Sequence, residues 1–154
     1  MKIEVYQEFI FRSKWLSKFI TSLNFKGEKL KIEKIIYESL FFFKKYFIVN
    51  SFFFFFESLE RLKPWVGLQI YKTFKLKKKK IKAYSTNLNS SIQYKKAIFW
   101  LIRGAETRNE SKFYVKICNE IQNIVFNELT YSLKKKREYY NYAIMFKSVQ
   151  KYKW

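Results

Sequence analysis

Two runs of basic side chains are the residues of this sequence best suited to chemistry, and that chemistry is the binding of a polyanion. The first run comprises Lys72, Lys75, Lys77, Lys78, Lys79, Lys80 and Lys82, and the second is Lys134-Lys135-Lys136-Arg137. Cations spaced this closely can neutralise several phosphates and release their counterions, so affinity would fall steeply with added salt. Such groups position RNA rather than read its sequence, which leaves specificity to shape, with the two runs spanning separate RNA features. A solvated basic face is the plainer reading, but a formal net charge of +20 on a small chain favours nucleic acid over charge kept for solubility. Tyr71, Tyr84, Tyr139 and Tyr140 adjoin the runs and could stack on bases, although aromatics at helical spacing are more often core.

Catalysis finds no comparable set. Cys118 lies on an apolar stripe, and with no His in the sequence it lacks the usual partner that makes a thiolate. Glu120, Glu128 and Glu138 form no acid-base arrangement with it. The three glycines, Gly27, Gly67 and Gly104, are too far apart for a phosphate-cradling loop. A single cysteine excludes an internal disulfide, and without histidine the common zinc ligands are missing. The expectation is a protein that is no enzyme and carries no cofactor or metal.

The elements that must carry the basic runs follow from periodicity. Apolar residues recur at helical spacing over Phe9 to Leu23 and Leu30 to Phe43, with Asn24-Phe25-Lys26-Gly27 as the turn between them. Residues Ile35 to Phe56 are Phe-rich, yet Glu38, Lys44, Lys45, Asn50 and Ser51 interrupt them, so no run reaches the ~18 apolar residues of a membrane span. Two core helices result, with Asn50 or Ser51 as the break, and the second runs to Lys63 before Pro64 ends it.

After Pro64 the period changes to two. Val66, Leu68 and Ile70 alternate with Trp65, Gly67, Gln69 and Tyr71, the pattern of a strand, and Ile81 to Tyr84 is the returning strand of a hairpin arm over about 65–88. Its tip lacks the Asn-Gly or Gly-Gly of tight turns. Ser90 with Gln93 suggests a capping box for the next helix, in which Ala97 to Ile102 reads as fully buried and which ends near Arg108-Asn109. A further helix carries Tyr114, Ile117, Cys118, Ile121, Ile124 and Val125 on one face and leaves Lys112, Lys116, Glu120 and Asn127 toward solvent. The last helix is expected to begin after Lys134 to Arg137, with Tyr142, Phe146 and Val149 sharing a face. The fold class is therefore mainly α, a single-domain helical bundle over 1–154 with a protruding two-stranded β-hairpin arm.

At 154 residues, 49% hydrophobic and 22% aromatic, the chain has the size and apolar content for one core and is not a disordered tail. Richness in Phe, Lys, Ile, Tyr and Asn, with only 3 Gly and 1 Pro, is the signature of an AT-rich gene such as those of some organelles. The opening residues, with Glu4 and Glu8, fit neither a secretory signal nor a transit peptide, so synthesis inside an organelle is expected.

The end of the chain narrows the reading. Lys135-Lys136-Arg137-Glu138, then Phe146-Lys147-Ser148-Val149 and Tyr152-Lys153-Trp154, resemble the closing signature of the small-subunit ribosomal protein seven family. Trp100, Ala105, Arg108 and Asn119-Glu120 follow the family order, as do Phe19, Leu23, Gly27, Lys29, Ile35, Ile36, Tyr37 and Leu40, then Leu59-Glu60 and Lys63-Pro64. The resemblance covers about Phe19 to Trp154.

It implies a helical body with a β arm in the head of the small subunit. It further implies binding to the 3′ major domain of small-subunit rRNA and a role in head assembly. Neighbouring ribosomal proteins would be partners, with mRNA at its exit channel and exit-site tRNA nearby. Lys29, Lys135, Lys136 and Arg137 are the positions it marks as RNA-contacting, while Asn119 and Glu120 match positions read as structural. Three departures stand out: the arm lacks the family's Gly-Gly and is longer, Phe99 and Glu28 stand where basic residues are usual, and the basic N-terminal extension is much reduced. With the composition, the resemblance points to a mitochondrial ribosome, a plastid-type organelle being the alternative. Integral membrane insertion is not expected; a basic membrane-surface protein, its Phe-rich helices inserting and its Lys clusters meeting anionic lipid, is the competing class, and a non-ribosomal nucleic-acid packaging protein the third.

Overall fold

Apolar side chains recurring at helical spacing turn the predicted segments into helices around one core. The computed structural model describes residues 13–23, 27–46, 51–75 and 78–147. Their order is α1 (Lys14–Leu23), α2 (Lys29–Tyr46), α3 (Ser51–Leu62), β1 (Val66–Lys75), β2 (Lys78–Asn87), α4 (Ser90–Glu106), α5 (Phe113–Val125) and α6 (Tyr131–Lys147). Several sequence expectations fall outside the described residues: Phe9 at the start of the first helix, Asn24-Phe25-Lys26 of the first turn, Asn50, the arm tip with Lys77, and the closing segment from Ser148 through Val149 to Trp154.

Helix α5 is the axle of the body, packed against α2, α3 and α4. It contributes Ile117, Cys118, Ile121 and Ile124 to the core. Around it lie Leu16, Phe19 and Ile20 of α1, Ile36, Leu40 and Phe43 of α2, Phe55, Leu59 and Leu62 of α3, and Ala97, Ile98 and Leu101 of α4. Burying each of the larger side chains is worth about 1.5–3 kcal/mol, which makes this cluster the main source of stability. Two serines enter it at no polar cost. Ser39 donates to the Ile36 carbonyl and Ser58 to that of Phe55, each at 2.7 Å.

The Phe-rich stretch divides as expected, α2 ending at Tyr46 and α3 opening at Ser51. Among the described residues, no helix is long and apolar enough to cross a membrane. Gly27, at φ 78°, takes the left-handed conformation that its turn requires. At the end of α5 the same conformation falls to Asn127, at φ 59°. Its N–H donates to the Ile124 carbonyl at 3.2 Å and the Glu128 N–H to the Asn123 carbonyl at 2.8 Å, a Schellman closure. Arg61 donates to the Asn127 side chain at 2.8 Å and ties this corner to α3.

The hairpin is antiparallel, with Val66 opposite Asn87 at its base and Lys75 opposite Lys78 near its tip. Leu88 closes the base through its N–H to the Trp65 carbonyl at 3.2 Å. Gly67 is buried there, and a Cβ on it would run into the Leu88 side chain.

Four expectations are corrected. The capping box at Ser90 and Gln93 does not form: Asn89 is the N-cap residue, and the Gln93 amide donates back to the Leu88 carbonyl at 3.0 Å. The run Ala97 to Ile102 is not buried throughout, because a helix turns residue 99 away from the face shared by 97, 98 and 101, and Phe99 stays 55% exposed. The last helix begins before the basic run, at Tyr131, so Lys134 to Arg137 sit within α6, and Tyr142 is exposed on it. Glu120 does not face solvent but is only 1% exposed.

Candidate nucleic-acid interface

Helix α6 carries one basic run and packs on the hairpin whose strands carry most of the other. Thr130 caps it, accepting the Leu133 N–H on its hydroxyl at 3.3 Å. The first turns then carry Lys134, Lys135, Lys136 and Arg137, and the helix packs against both strands of the hairpin as well as α4. Tyr140 fixes the arm to the body, since its hydroxyl accepts the Trp65 N–H at 3.0 Å.

A buried polar knot sets where α6 starts. The Glu120 carboxylate meets the Ser132 hydroxyl through Oε1 and the Arg108 guanidinium at 3.0 Å through Oε2. The Ser132 hydroxyl also lies 3.0 Å from the Trp100 carbonyl, so residues of α4, α5 and α6 converge on one serine. Arg108 reaches Glu110 at 2.8 Å with its remaining edge, and Asn119 donates to the same carboxylate at 3.1 Å. Desolvation works against the Glu110 charge, but the Asn119 amide and the Arg108 guanidinium hold the carboxyl down, at about 2. Gly104 makes the convergence possible, because a Cβ there would lie 2.9 Å from Glu120 Cδ and closer still to Ser132 Oγ.

The four residues of the second basic run differ in their surroundings. Lys134 and Arg137 are exposed. Lys135 pairs with Glu138 at 2.7 Å, and that hydrogen bond raises its pKa. Lys136 is half-buried in the seam: its ammonium donates to the Arg61 carbonyl and lies 5.8 Å from the centre of the Tyr140 ring. Burial, then the nearby Lys63, lower its pKa. Lys29 is exposed at the start of α2, 3.5 Å from Glu33.

For the arm, the register places Lys75, Lys78, Lys80 and Lys82 at positions that share one face of the ribbon with Tyr71 and Tyr84, while Lys72 and Lys79 occupy the other. Two tyrosines weighed as stacking platforms serve the body instead. Tyr139 sits edge-on to Trp100, ring centres 5.5 Å apart, with the Lys96 ammonium 3.9 Å from its own centre, and Tyr140 holds the arm. Cys118, buried with its thiol directed at the Ser39 carbonyl, is pushed by desolvation up to about 12.

Sequence reasoning missed a third group of cations. Lys18 of α1 with Lys95 and Arg103 of α4 line a groove of about 490 Å³ between the two helices. They are scattered singly along the chain, so no run announced them; spacing 95, 99, 103 on one helix face was the available signal.

A small basic body of six helices among the described residues, with a ribbon arm and clustered lysines, has the form of a structural protein that assembles on a polyanion. The chain matches the family Ribosomal protein S7p/S5e over residues 1–145, and it belongs to that family of structural, non-enzymatic ribosomal proteins of the small subunit. Among its relatives is the small ribosomal subunit protein uS7 of Sulfurimonas denitrificans, 25% identical over 155 residues that span 98% of this chain and 94% of the relative. The protein of the same name from Nitratiruptor sp. is 26% identical over 156 residues, with the same 98% and 94% coverage.

Proposed function

We propose that this chain binds the 3′ major domain of small-subunit rRNA and supports assembly of the subunit head, close to the mRNA exit channel and exit-site tRNA. Neighbouring proteins of the head complete its surroundings. The observation that carries the reading is the junction at α6: one helix presents Lys134, Lys135 and Arg137 and, through Tyr140 and Trp65, anchors the arm whose described strands bear Lys72, Lys75, Lys78, Lys79, Lys80 and Lys82. RNA engaged by both would be gripped at two separated features in a fixed relation, which suits recognition by shape. Lys29 adds a cation at α2, and Lys136 acts from within the seam, fixing α6 while adding to the local field. The composition supports an organellar ribosome, that of a mitochondrion, and the nucleotide sequence of the gene is its direct check.

Binding of the full chain to a 3′ major-domain rRNA fragment, measured against salt, tests the reading. Replacing Lys134, Lys135 and Arg137 together with Ala should lower the salt slope by up to about 2.7, from ~0.9 per phosphate contact. An unchanged slope would remove them from the interface, and recovery of the protein only in ribosome-free fractions at moderate salt would overturn the assignment.

A further inference from the structure

The α1–α4 groove lies outside both basic runs, yet its chemistry is distinctive. Its floor and rim include Lys18, Ser22, Lys95, Phe99, Ile102 and Arg103, and no carboxylate is among the lining residues. Phe99 is 55% exposed, an unusual position for a large apolar ring beside cations. Arg103 is held by Glu106 at 3.1 Å and its guanidinium lies 5.5 Å from the centre of the Phe99 ring. Desolvation, then Lys14 and Lys95, depress the Lys18 pKa, as expected where like charges crowd together. The line of aromatics and cations continues past the groove: Trp15 stacks on Tyr94 with ring centres 4.2 Å apart, and the Lys18 ammonium lies 4.8 Å from the centre of the indole.

We infer that this groove seats an unpaired nucleotide of RNA, its base lying on the exposed face of Phe99 and its flanking phosphates held between Lys18, Lys95 and Arg103. A flat ring offers a base a sequence-tolerant platform, and three surrounding ammonium or guanidinium groups complement the backbone on either side. An acidic protein segment would satisfy the cations and leave the ring bare; a nucleotide satisfies both. The inference rests on the RNA-binding role proposed above but names a separate seat, outside the arm and α6.

The test uses the full chain with two probes, a single-stranded 12-mer of oligouridylate and the 3′ major-domain rRNA fragment. Phe99→Leu keeps an apolar side chain at an exposed helix position, so folding is unaffected while the ring is lost. Affinity for the 12-mer should drop roughly 5- to 150-fold, the range alanine substitution gives for one stacked base, with the salt slope unchanged. Phe99→Tyr should restore it, and Lys18→Ala with Lys95→Ala should lower the salt slope. Ultraviolet cross-linking to the 12-mer should place a nucleotide on the peptide Ala97 to Arg103. Wild-type affinity in Phe99→Leu, or cross-links confined to other peptides, would overturn the inference. So would loss, in these variants, of binding to anionic phosphatidylserine vesicles with 12-mer binding intact. Failure of the wild-type chain to prefer the rRNA fragment over duplex RNA would instead strike the proposed function, and Phe99-dependent binding of the 12-mer would still support the groove.

Discussion

Replacing Gly104 with Ala sets two physical effects against each other. In the interior of α4, Ala is favoured over Gly by about 1 kcal/mol, so helix propensity alone predicts a more stable protein. The added Cβ, however, would overlap the Ser132 hydroxyl and the Glu120 carboxylate and lie 2.9 Å from Glu120 Cδ. Relieving that overlap in a packed interior costs ~1–3 kcal/mol. A Glu120 carboxylate only 1% exposed that is pushed off its partners costs a further ~1–3 kcal/mol. The net expectation is a loss of about 3 kcal/mol, or a fall of ~6–12 °C in Tm for a chain of this size.

Urea unfolding of the purified chain, followed by tryptophan fluorescence, measures the change as a lower midpoint at constant slope. The double variant Gly104→Ala with Ser132→Ala removes the atom that the new methyl strikes first, so it should lose less than the two single changes added together. A midpoint that stays put or rises in Gly104→Ala would show that the close approach of α4 to Glu120 and Ser132 carries no weight.

Three further outcomes follow from the same structure. Because the Glu110 carboxyl is held at about 2, its stabilising contribution is complete above the unfolded value near 4.5 and is lost as pH falls from there toward 2. Urea midpoints of Glu110→Gln should therefore decline less than those of the wild type across that window, and parallel curves would count against the pairing. With its thiol at about 12 and buried, Cys118 should resist Ellman's reagent at pH 8 until urea unfolds the chain; prompt labelling of the native protein would contradict this. Tyr140→Phe removes the acceptor of the Trp65 N–H, a change of about 0.5–1.5 kcal/mol, and amide exchange at Trp65 should quicken while that of α5 stays unchanged.

The parts of the fold legible in sequence were those written in period. Alternation after Pro64 marked the ribbon, and stripes such as Ile117, Cys118, Ile121 and Ile124 marked the core face of a helix. Glu120 shows where residue type misled. At i+3 from Ile117 and i−4 from Ile124 it falls on the apolar stripe, but a carboxylate is ordinarily assigned to solvent. Its partners, Arg108 and Ser132, stand 12 positions away on either side, across loops whose closure no local pattern encodes. The start of α6 was misplaced for a related reason. Four consecutive cations were placed ahead of the helix, whereas Lys and Arg are good helix formers and Thr130 had already supplied the cap. For the candidate site, charge runs were visible at once, but the groove cations Lys18, Lys95 and Arg103 come together only when α1 packs on α4.

A ribbon of just two strands has no interior, so each of its ten-residue rims leaves every second amide and carbonyl without a ladder partner. Left bare, rims that long would invite a neighbouring molecule to zip alongside and start an aggregate. Lysines at 72, 75, 78, 79, 80 and 82 make two such ribbons repel each other on approach. The free chain's protection against self-association is thus the same charge that the proposed RNA contact would consume, and it should weaken as ionic strength rises, so newly made protein stays dispersed most easily in dilute salt.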